Sequence, residues 1–264
     1  MKIGFIGFGN MAKAMAGGML KKGIVRPEDI IASAKTEQSR KASAEQFGIT
    51  MYEENVRVAE EAELLILAVK PQFLEEVILQ IRDAVSAETL VVSIAAGRTI
   101  AWMESCFDRQ VRLVRCMPNT PALVGEGCTG ICASELVTEE ELAGVVALME
   151  SFGTASVVSE KLMDVVVGVS GSSPAYVFLF IEAMADEAVA EGMPRAQAYQ
   201  FAAQAVLGSA KMVLEIGKHP GELKDMVCSP AGTTIQAVKV LEETGFRASV
   251  MDAMEACIRK SRSM

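Results

Sequence analysis

Residues 4–15, GFIGFGNMAKAM, carry the pattern that decides the fold. An apolar run of strand composition ends at Gly7, and Gly7, Gly9 and Ala12 form a GxGxxA motif at the start of a helical segment. Gly7 permits a tight turn, Gly9 lets the backbone approach a pyrophosphate, and Ala12 keeps helix and strand close. The free amides that begin the helix attract the anion. The motif predicts a dinucleotide-binding βαβ unit, and a plain tight turn is the alternative.

Beyond this motif, short strand-like runs alternate with helical stretches up to about residue 160. The runs with strand composition are KIGFIG, DIIAS, ELLILAV, TLVVSIA, VRLVRC, TGICA and TASVV. Helical segments lie between several of them, for example at 10–22, 72–85 and 138–151. Such alternation indicates a mostly parallel sheet that helices cover on both faces.

After residue 160 the strand-like runs stop and helices follow. Proline and glycine punctuate these helices at Pro174, Gly192, Pro194, Gly217 and Gly245. The helices are apolar around more than one face, so neighbouring copies of the chain are expected to interleave there. The sequence thus predicts an α/β Rossmann-type dinucleotide-binding domain at 1–160, followed by an all-α dimerisation domain at 161–264.

The composition limits the classes of partner that this protein is expected to bind. The chain has 264 residues, of which 51% are apolar, and a net charge of −9. This charge argues against nucleic acid or an anionic membrane surface, so a small molecule is the expected partner. No single run of about 18 apolar residues is found, so no membrane span is expected. The surplus of apolar residues predicts self-association.

The six cysteines are scattered without a CxxC pair. Cys128 and Cys132 are four residues apart, but the segment around them alternates like a strand, so core thiols are favoured over metal ligands. The sequence begins with a strand pattern and not with a signal peptide. A reduced, cytoplasmic protein without a metal is therefore expected.

The end of the second predicted strand bears on the choice of cofactor. NAD sites usually place an acidic residue about 20 positions after the glycines, at the ribose 2′-hydroxyl. Here IIASAKTEQSR, residues 30–40, offers Ser33, Lys35 and Thr36 before Glu37. Hydroxyls and a cation suit a 2′-phosphate, which favours NADPH. Lys35 as a solvated loop lysine is the alternative, and NADH also stays possible.

Four further turns contain residues that suit ligand binding. AVKPQ at 68–72 and SIAAG at 93–97 lie at the carboxyl ends of predicted strands, where ligands of open α/β sheets bind. RCMPNTPALVGEG at 115–127 adds two prolines around Asn119 and Thr120. CSPAGTTIQAVKVLE at 228–242 joins a hydroxyl-rich turn to an apolar helical run.

These motifs together match a known family. FIGFGNMA, AVKPQ, SIAAG, MPNTP, GVSGSSPAY and SPAGTT resemble, in order and spacing, the motifs of pyrroline-5-carboxylate reductase, which catalyses the last step of proline biosynthesis. The resemblance covers essentially the whole chain. It implies a Rossmann domain, a helical domain that interlocks with a second subunit, and dimers that often assemble further.

The resemblance also implies roles for residues at matching positions. The implied cofactor contacts are Gly7, Gly9, Asn10, Met11 and Ala12 at the pyrophosphate, Ser33, Ala34 and Lys35 at the adenosine ribose, Ala68, Val69, Lys70, Pro71, Ala95 and Ala96 at the nicotinamide half, and in addition Asn55 and Asn119. The implied substrate contacts are Ser229, Gly232, Thr233 and Thr234. The substrate would be Δ1-pyrroline-5-carboxylate.

The chemistry of that substrate suits the turn at 229–234. The substrate has a carboxylate and a cyclic C=N bond, and the amides and positive dipole end of a helix suit the carboxylate. Thr234, expected one turn inside the helix, would present its hydroxyl to the imine nitrogen as the catalytic residue. The alternative is that Ser229 only caps a helix that Pro230 begins.

Family members commonly read SGSGPAY and SPGGTT, whereas this chain has Ser173 and Ala231 at two glycine positions. Both replacements are small and remove no reacting group. An alanine tolerates a positive φ poorly, so the conformation of the turn at Ala231 is open to question.

Two other functions compete. One is a different dehydrogenase with a Rossmann plus helical plan, such as the 3-hydroxyacid dehydrogenases, which typically offer a lysine and an asparagine four residues apart after a glycine-rich turn. Here Val177 and Ile181 fall at those positions, and apolar side chains cannot deprotonate an alcohol. The other is a non-catalytic nucleotide-binding regulator in which the hydroxyl-rich turn is structural.

Overall fold

The computed structural model describes all 264 residues, which form eight strands and twelve α-helices. The strands are β1 Ile3–Ile6, β2 Ile30–Ser33, β3 Thr50–Tyr52, β4 Leu64–Leu67, β5 Leu90–Ser93, β6 Leu113–Met117, β7 Gly127–Ala133 and β8 Gly153–Val157. The helices are α1 Asn10–Lys21, α2 Glu37–Phe47, α3 Asn55–Glu61, α4 Leu74–Ile81, α5 Ile100–Phe107, α6 Glu139–Met149, α7 Met163–Val166, α8 Ser173–Ala190, α9 Arg195–Ile216, α10 Pro220–Val227, α11 Thr233–Glu243 and α12 Phe246–Arg262.

All strands belong to one sheet in the order β3-β2-β1-β4-β5-β6-β7-β8. Every neighbouring pair is parallel except β6 and β7. The order reverses between β1 and β4, where Ile3 pairs with Leu64 and Ile6 with Leu67. Such a reversal is the place where open α/β sheets bind ligands. The predicted, mostly parallel Rossmann-type sheet is confirmed.

The sheet separates two apolar layers. On one face Ile3 and Phe5 of β1 pack with Met15 and Met19 of α1. On the other face Ile6 belongs to a layer with residues of β4, α3, α4 and α5. All four residues of β1 are buried, as expected for a strand covered on both sides.

Strand β3 was not predicted. It has three residues, of which Thr50 is exposed and two are half-buried, so no apolar run marks it. Helices α2, α3 and α5 each lie between two strands, in the alternation that the sequence indicated.

The chain forms two compact units, Met1–Ser172 with Cys257–Met264, and Ser173–Ala256. Residues 161–172 belong to the first unit, because Met163 of α7 is buried in the second apolar layer of that unit. The units therefore divide at a different point from the domain boundary expected after residue 160. That boundary, as a division between domains, stays a prediction.

The second unit is entirely helical, as predicted. The helices of the second unit end near the glycines that the sequence indicated. Gly217, with φ +69°, is the C-cap of α9, and the turns after α8 and α11 contain Gly192 at +95° and Gly245 at +78°. A left-handed glycine is a common end of a helix.

The second unit buries little of its apolar surface within one chain. Only Ala185, Ala198, Ala202 and Leu223 are buried there. The large apolar side chains on its surface include Phe178 at 62%, Leu179 at 66%, Phe201 at 65%, Leu214 at 85% and Met251 at 70% exposure. A surface of this kind marks a protein–protein interface.

One helical stretch is apolar enough to cross a membrane by length and composition alone. It runs from Glu160 to Ala190 and contains an 18-residue window of mean hydropathy 1.5, of which 17% is buried. It is not an uninterrupted run of about 18 apolar residues, whose absence was expected, because serine and glycine interrupt it. A helix that packs into a subunit interface has the same composition.

Phe178→Glu is expected to weaken self-association, because a charge placed in an apolar interface loses its hydration. Sedimentation velocity would then show smaller particles, and the melting temperature would fall with dilution. Glu187→Gln, at an exposed polar position on the same helix, is the control and should leave assembly unchanged. An F178E protein that sediments as the unaltered protein does would exclude this patch from the interface.

Candidate cofactor and substrate sites

The turn after β1 has no room for a side chain at position 7. Gly7 follows β1 with φ +83°, and a Cβ added to it would lie 2.8 Å from Val69 Cγ1 and 3.1 Å from the Ala68 carbonyl oxygen. Both the left-handed conformation and the close approach therefore require glycine. The turn brings α1 directly to the carboxyl edge of the sheet.

Gly9 and the start of α1 leave space for a ligand. Gly9 is the N-cap of α1, and a Cβ on it would meet nothing within 4 Å. No side chain caps the first amides of α1, so these donors are free to bind an anion. Asn10 is exposed, Met11 is half-buried, and Ala12 is 1% exposed against the strand layer, which fits the roles predicted for them.

The predicted nicotinamide residues lie along the same edge. The Ala68 amide donates to the Ile6 carbonyl at 2.9 Å, so the turn 68–71 begins beside Gly7. Lys70 is exposed and precedes a short 3₁₀ turn that starts at Pro71. Ala95 is 2% exposed after β5, and Ala96 follows it half-buried. Because β1, β4 and β5 are parallel neighbours, their three exits share one side of the sheet.

Ser33 and Asn55 meet at the end of β2. Ser33 is 1% exposed, and its Oγ donates to Asn55 Oδ1 at 2.7 Å. The Asn55 Nδ2 group donates in turn to Gln80 Oε1 at 2.8 Å. The structure thus joins two residues that the sequence named separately. It adds Gln80, which no local pattern marks because it lies on the exposed side of α4.

A second cation lies at this strand end. Lys35 is exposed, and Arg40 in α2 donates from Nη1 to the Ala34 carbonyl at 2.9 Å and from Nη2 to Glu53 at 2.8 Å. Sequence reasoning selected Lys35 and missed Arg40. The signal was present, since Arg40 ends the quoted stretch 30–40 and lies one turn inside the helix that Thr36 caps.

Asn119 uses both ends of its side-chain amide within the protein. It is 7% exposed, its Nδ2 donates to the Ser170 carbonyl at 3.0 Å, and its Oδ1 accepts from the Cys128 amide at 2.8 Å. It therefore fixes the loop after β6 to the start of β7. Its assignment to the cofactor stays a prediction, and each end of the side-chain amide keeps the capacity for one more hydrogen bond.

A groove of about 760 Å³ runs along the flank of α1, between that helix, the end of α2 and the turn Thr120–Val124. Of the predicted cofactor residues it contains Asn10 alone. The groove is therefore a different surface from the strand edge that carries Gly7, Ala68 and Ala95.

In the second unit, the hydroxyl-rich turn precedes α11. The Gly232 amide donates to the Ser229 carbonyl at 3.1 Å, and Ala231 between them has φ +58°. A Cβ added to Gly232 would lie 3.1 Å from the Ser229 carbonyl oxygen and closer still to Ser229 Oγ, so a side chain at position 232 would need the Ser229 hydroxyl to move. The positive φ of Ala231 lies in the region that an alanine tolerates poorly.

Helix α11 begins later than the sequence suggested. Gly232 is its N-cap and Thr233 its first residue, so the alternative in which Ser229 caps a helix begun by Pro230 is wrong. Thr234 lies in the first turn and not one turn inside. It is half-buried, whereas Ser229 and Thr233 are exposed. No side chain caps the first amides of α11, which leaves them free for an anion.

Of the other reactive side chains, Cys116 and Cys132 are buried and His219 caps a helix. Burial raises the pKa of the Cys132 thiol to about 11, and burial also raises the pKa of Cys116, so both thiols are neutral at pH 7. His219, the single histidine, caps α10 by accepting from the Gly221 amide at 3.0 Å. The structure has no group of three or more histidine, cysteine or carboxylate side chains positioned to hold a metal.

Ala231→Gly is expected to raise the free energy of unfolding by about 0.5–1 kcal/mol. A left-handed alanine costs about 1–2 kcal/mol, and the extra freedom of an unfolded glycine offsets about 0.5–1 kcal/mol of the gain. Urea unfolding at fixed protein concentration measures the difference. Ala237→Gly, at an exposed position inside α11, is the matched control and should lower stability by about 1 kcal/mol. If both variants lose stability equally, the turn at 231 is not strained.

Two family models match this chain. A family model described as pyrroline-5-carboxylate reductase dimerisation matches residues 160–264, and one described as NADP oxidoreductase, coenzyme F420-dependent, matches residues 2–97. The pyrroline-5-carboxylate reductase of Escherichia coli K12 is 53% identical over 263 residues, which cover 100% of this chain and 98% of the relative.

Two solved structures are also similar. A pyrroline-5-carboxylate reductase from Coxiella burnetii is 34% identical with a TM-score of 0.91, and the match covers 99% of this chain and 97% of that one. The pyrroline carboxylate reductase of Plasmodium falciparum, solved with NADP bound, is 31% identical with a TM-score of 0.92 over 100% of this chain and 97% of that one. A Rossmann-type sheet followed by a helical dimerisation region, together with identity of this extent along the whole chain, shows that the protein belongs to the pyrroline-5-carboxylate reductase family.

Proposed function

We propose that this chain reduces Δ1-pyrroline-5-carboxylate to L-proline, the last step of proline biosynthesis. The observation that carries the proposal is 53% identity along the full chain to a pyrroline-5-carboxylate reductase. NADPH, when bound, supplies a hydride to the carbon of the cyclic imine. The electron pair of the C=N bond then remains on the nitrogen, which carries the proton of the protonated imine and becomes the amine of proline.

The start of α1 would hold the pyrophosphate of the cofactor. Its uncapped amides and the empty space over Gly9 support this role, and Asn10, Met11 and Ala12 form the first turn behind them. Lys35, with Ser33 and Ala34, would face the adenosine ribose, and Asn55 would support Ser33 through their hydrogen bond. The turn 68–71 and the pair Ala95–Ala96 would line the nicotinamide half, with Asn119 on the next strand exit.

The turn before α11 would hold the substrate. The free amides of Gly232 and Thr233, with the Ser229 hydroxyl, would bind the carboxylate at the positive end of the helix. Thr234 in the first turn would direct its hydroxyl to the imine nitrogen and support its protonation. Fixing the ring at its carboxylate and its imine nitrogen would hold it in one orientation.

Self-association would proceed through the helical region. The exposed apolar side chains of the second unit and the dimerisation model over residues 160–264 support a dimer that can assemble further. We place the enzyme in the cytoplasm because its six cysteines are free thiols. Its net charge of −9 favours a small-molecule substrate over nucleic acid or an anionic membrane surface.

An assay at 340 nm with purified protein, NADPH and the cyclic imine tests the proposal. Rapid loss of absorbance is expected. A dehydrogenase for 3-hydroxyacids would oxidise its alcohol with NADP and leave the imine unreacted. A non-catalytic regulator would bind NADPH without consuming it, so either of these results would exclude the proposed reaction.

Thr234→Ala is expected to lower kcat by about tenfold or more, because loss of a hydrogen bond worth about 1.4 kcal/mol in the transition state costs a factor of ten. Thr234→Ser retains the hydroxyl and is the control, with kcat expected within about threefold. Initial rates at saturating NADPH measure both. A kcat for T234A within about twofold of the unaltered enzyme would remove Thr234 from the mechanism.

Lys35→Glu is expected to raise KM for NADPH by about tenfold and to leave KM for NADH nearly unchanged, because a carboxylate repels the 2′-phosphate that only NADPH carries. Lys41→Glu, further along α2 and paired with Glu37, makes the same change of charge away from the strand end and is the matched control. Equal increases of KM for both cofactors in K35E would contradict a contact between Lys35 and the 2′-phosphate.

A further inference from the structure

The loop after β5 is held by the last residues of the chain. Arg98 donates from Nη1 to the main-chain oxygen of Met264 at 2.7 Å. Gly97 has φ +71°, and a Cβ added to it would lie 2.7 Å from Met264 Cβ and 3.3 Å from the Ser261 carbonyl oxygen. The segment 261–264 therefore covers this loop at a distance that excludes any side chain at position 97.

The covering segment is itself fixed. Ser261 is 4% exposed, and its Oγ donates to Asp164 Oδ1 at 2.6 Å. One turn earlier, the Cys257 thiol lies 3.2 Å from Ser172 Oγ. These contacts attach the end of α12 to the first unit, although α12 begins among residues of the second.

The far end of the loop has a second anchor. The Ile100 amide, at the start of α5, donates to Glu160 Oε1 at 2.7 Å. Glu160 also pairs with Arg115 at 3.2 Å, and the Arg115 side chain is only 4% exposed in β6. The loop thus runs between two fixed points, of which Met264 is the one nearer to Ala95 and Ala96.

Arg98 links the loop to the single tryptophan of the chain. Its guanidinium carbon lies 4.4 Å from the centre of the Trp102 ring, an arrangement that favours a cation–π contact. Its Nε is buried without a hydrogen-bond partner. The orientation of Arg98 therefore depends on Trp102 and on the Met264 oxygen.

We infer that residues 261–264 position the Ala95–Arg98 loop so that it receives the nicotinamide end of the cofactor. This inference rests on the proposed function for the assignment of Ala95 and Ala96. The segment contacts the loop at Gly97 and Arg98, and its residues are positioning residues that act through this loop. Their loss should weaken cofactor binding and leave the chemical step largely intact.

Deletion of Ser263 and Met264 tests the inference. Titration with NADPH alone, followed by the fluorescence of the nicotinamide, should give a dissociation constant raised by about fivefold or more, because a misplaced loop no longer presents a preformed surface. The emission of Trp102 should change as well, since Arg98 loses its partner at Met264. The kcat at saturating NADPH should stay within about twofold, and the sedimentation coefficient should not change.

Ser263→Ala is the control, because the Ser263 side chain bonds only to the Lys260 carbonyl and the substitution leaves Met264 in place. If the deletion prevents folding, Met264→Gly removes the side chain over Gly97 and should shift the dissociation constant in the same direction. An unchanged affinity for NADPH in the variant that folds would overturn the inference. Failure of the unaltered protein to reduce the imine would instead overturn the proposed function, since the titration needs no turnover.

Discussion

The close approach of two backbone turns at the centre of the sheet is the constraint on which the rest of the first unit depends. β1 and β4 are parallel neighbours, so the chain leaves both at the same edge, and Gly7 passes within contact distance of Ala68 and Val69. Any side chain at Gly7 would separate the two strands. Because that turn is so tight, α1 starts immediately at the edge with its amides uncovered, and the neighbouring exits after β2 and β5 come within reach of one elongated ligand.

Features that depend on a single residue type or a short pattern could be predicted from the sequence. The turn at Gly7 and the ends of the long helices follow from the residue type at single positions. Other features depend on residues that are distant in sequence. β3 has no apolar run of its own, Gln80 reaches Asn55 only because α3 and α4 are adjacent, and the bond between Arg98 and Met264 joins residues 166 positions apart. The start of α11 was misplaced because Ser-Pro is a common helix start, whereas here Ser229 begins a turn that ends at Gly232.

The two units satisfy the burial requirement in opposite ways. The sheet unit covers its apolar strands with its own helices, and β1 is buried completely. The helical unit leaves Leu214 at 85% exposure and Phe201 at 65%, a surface of the kind that a protein–protein interface covers. The family model that matches residues 160–264 is described as a dimerisation model, which agrees with the exposed apolar surface of this region.

The sheet unit is discontinuous in sequence, and this has a consequence for synthesis on the ribosome. Its segment Cys257–Met264 leaves the ribosome only after all of Ser173–Ala256 has been made. At about 5–20 residues per second this interval lasts several seconds, during which the strands can already pair. The nascent chain therefore passes through a stage in which the sheet is formed but the loop at Gly97 is uncovered, and that surface is completed only when residues 257–264 have been made.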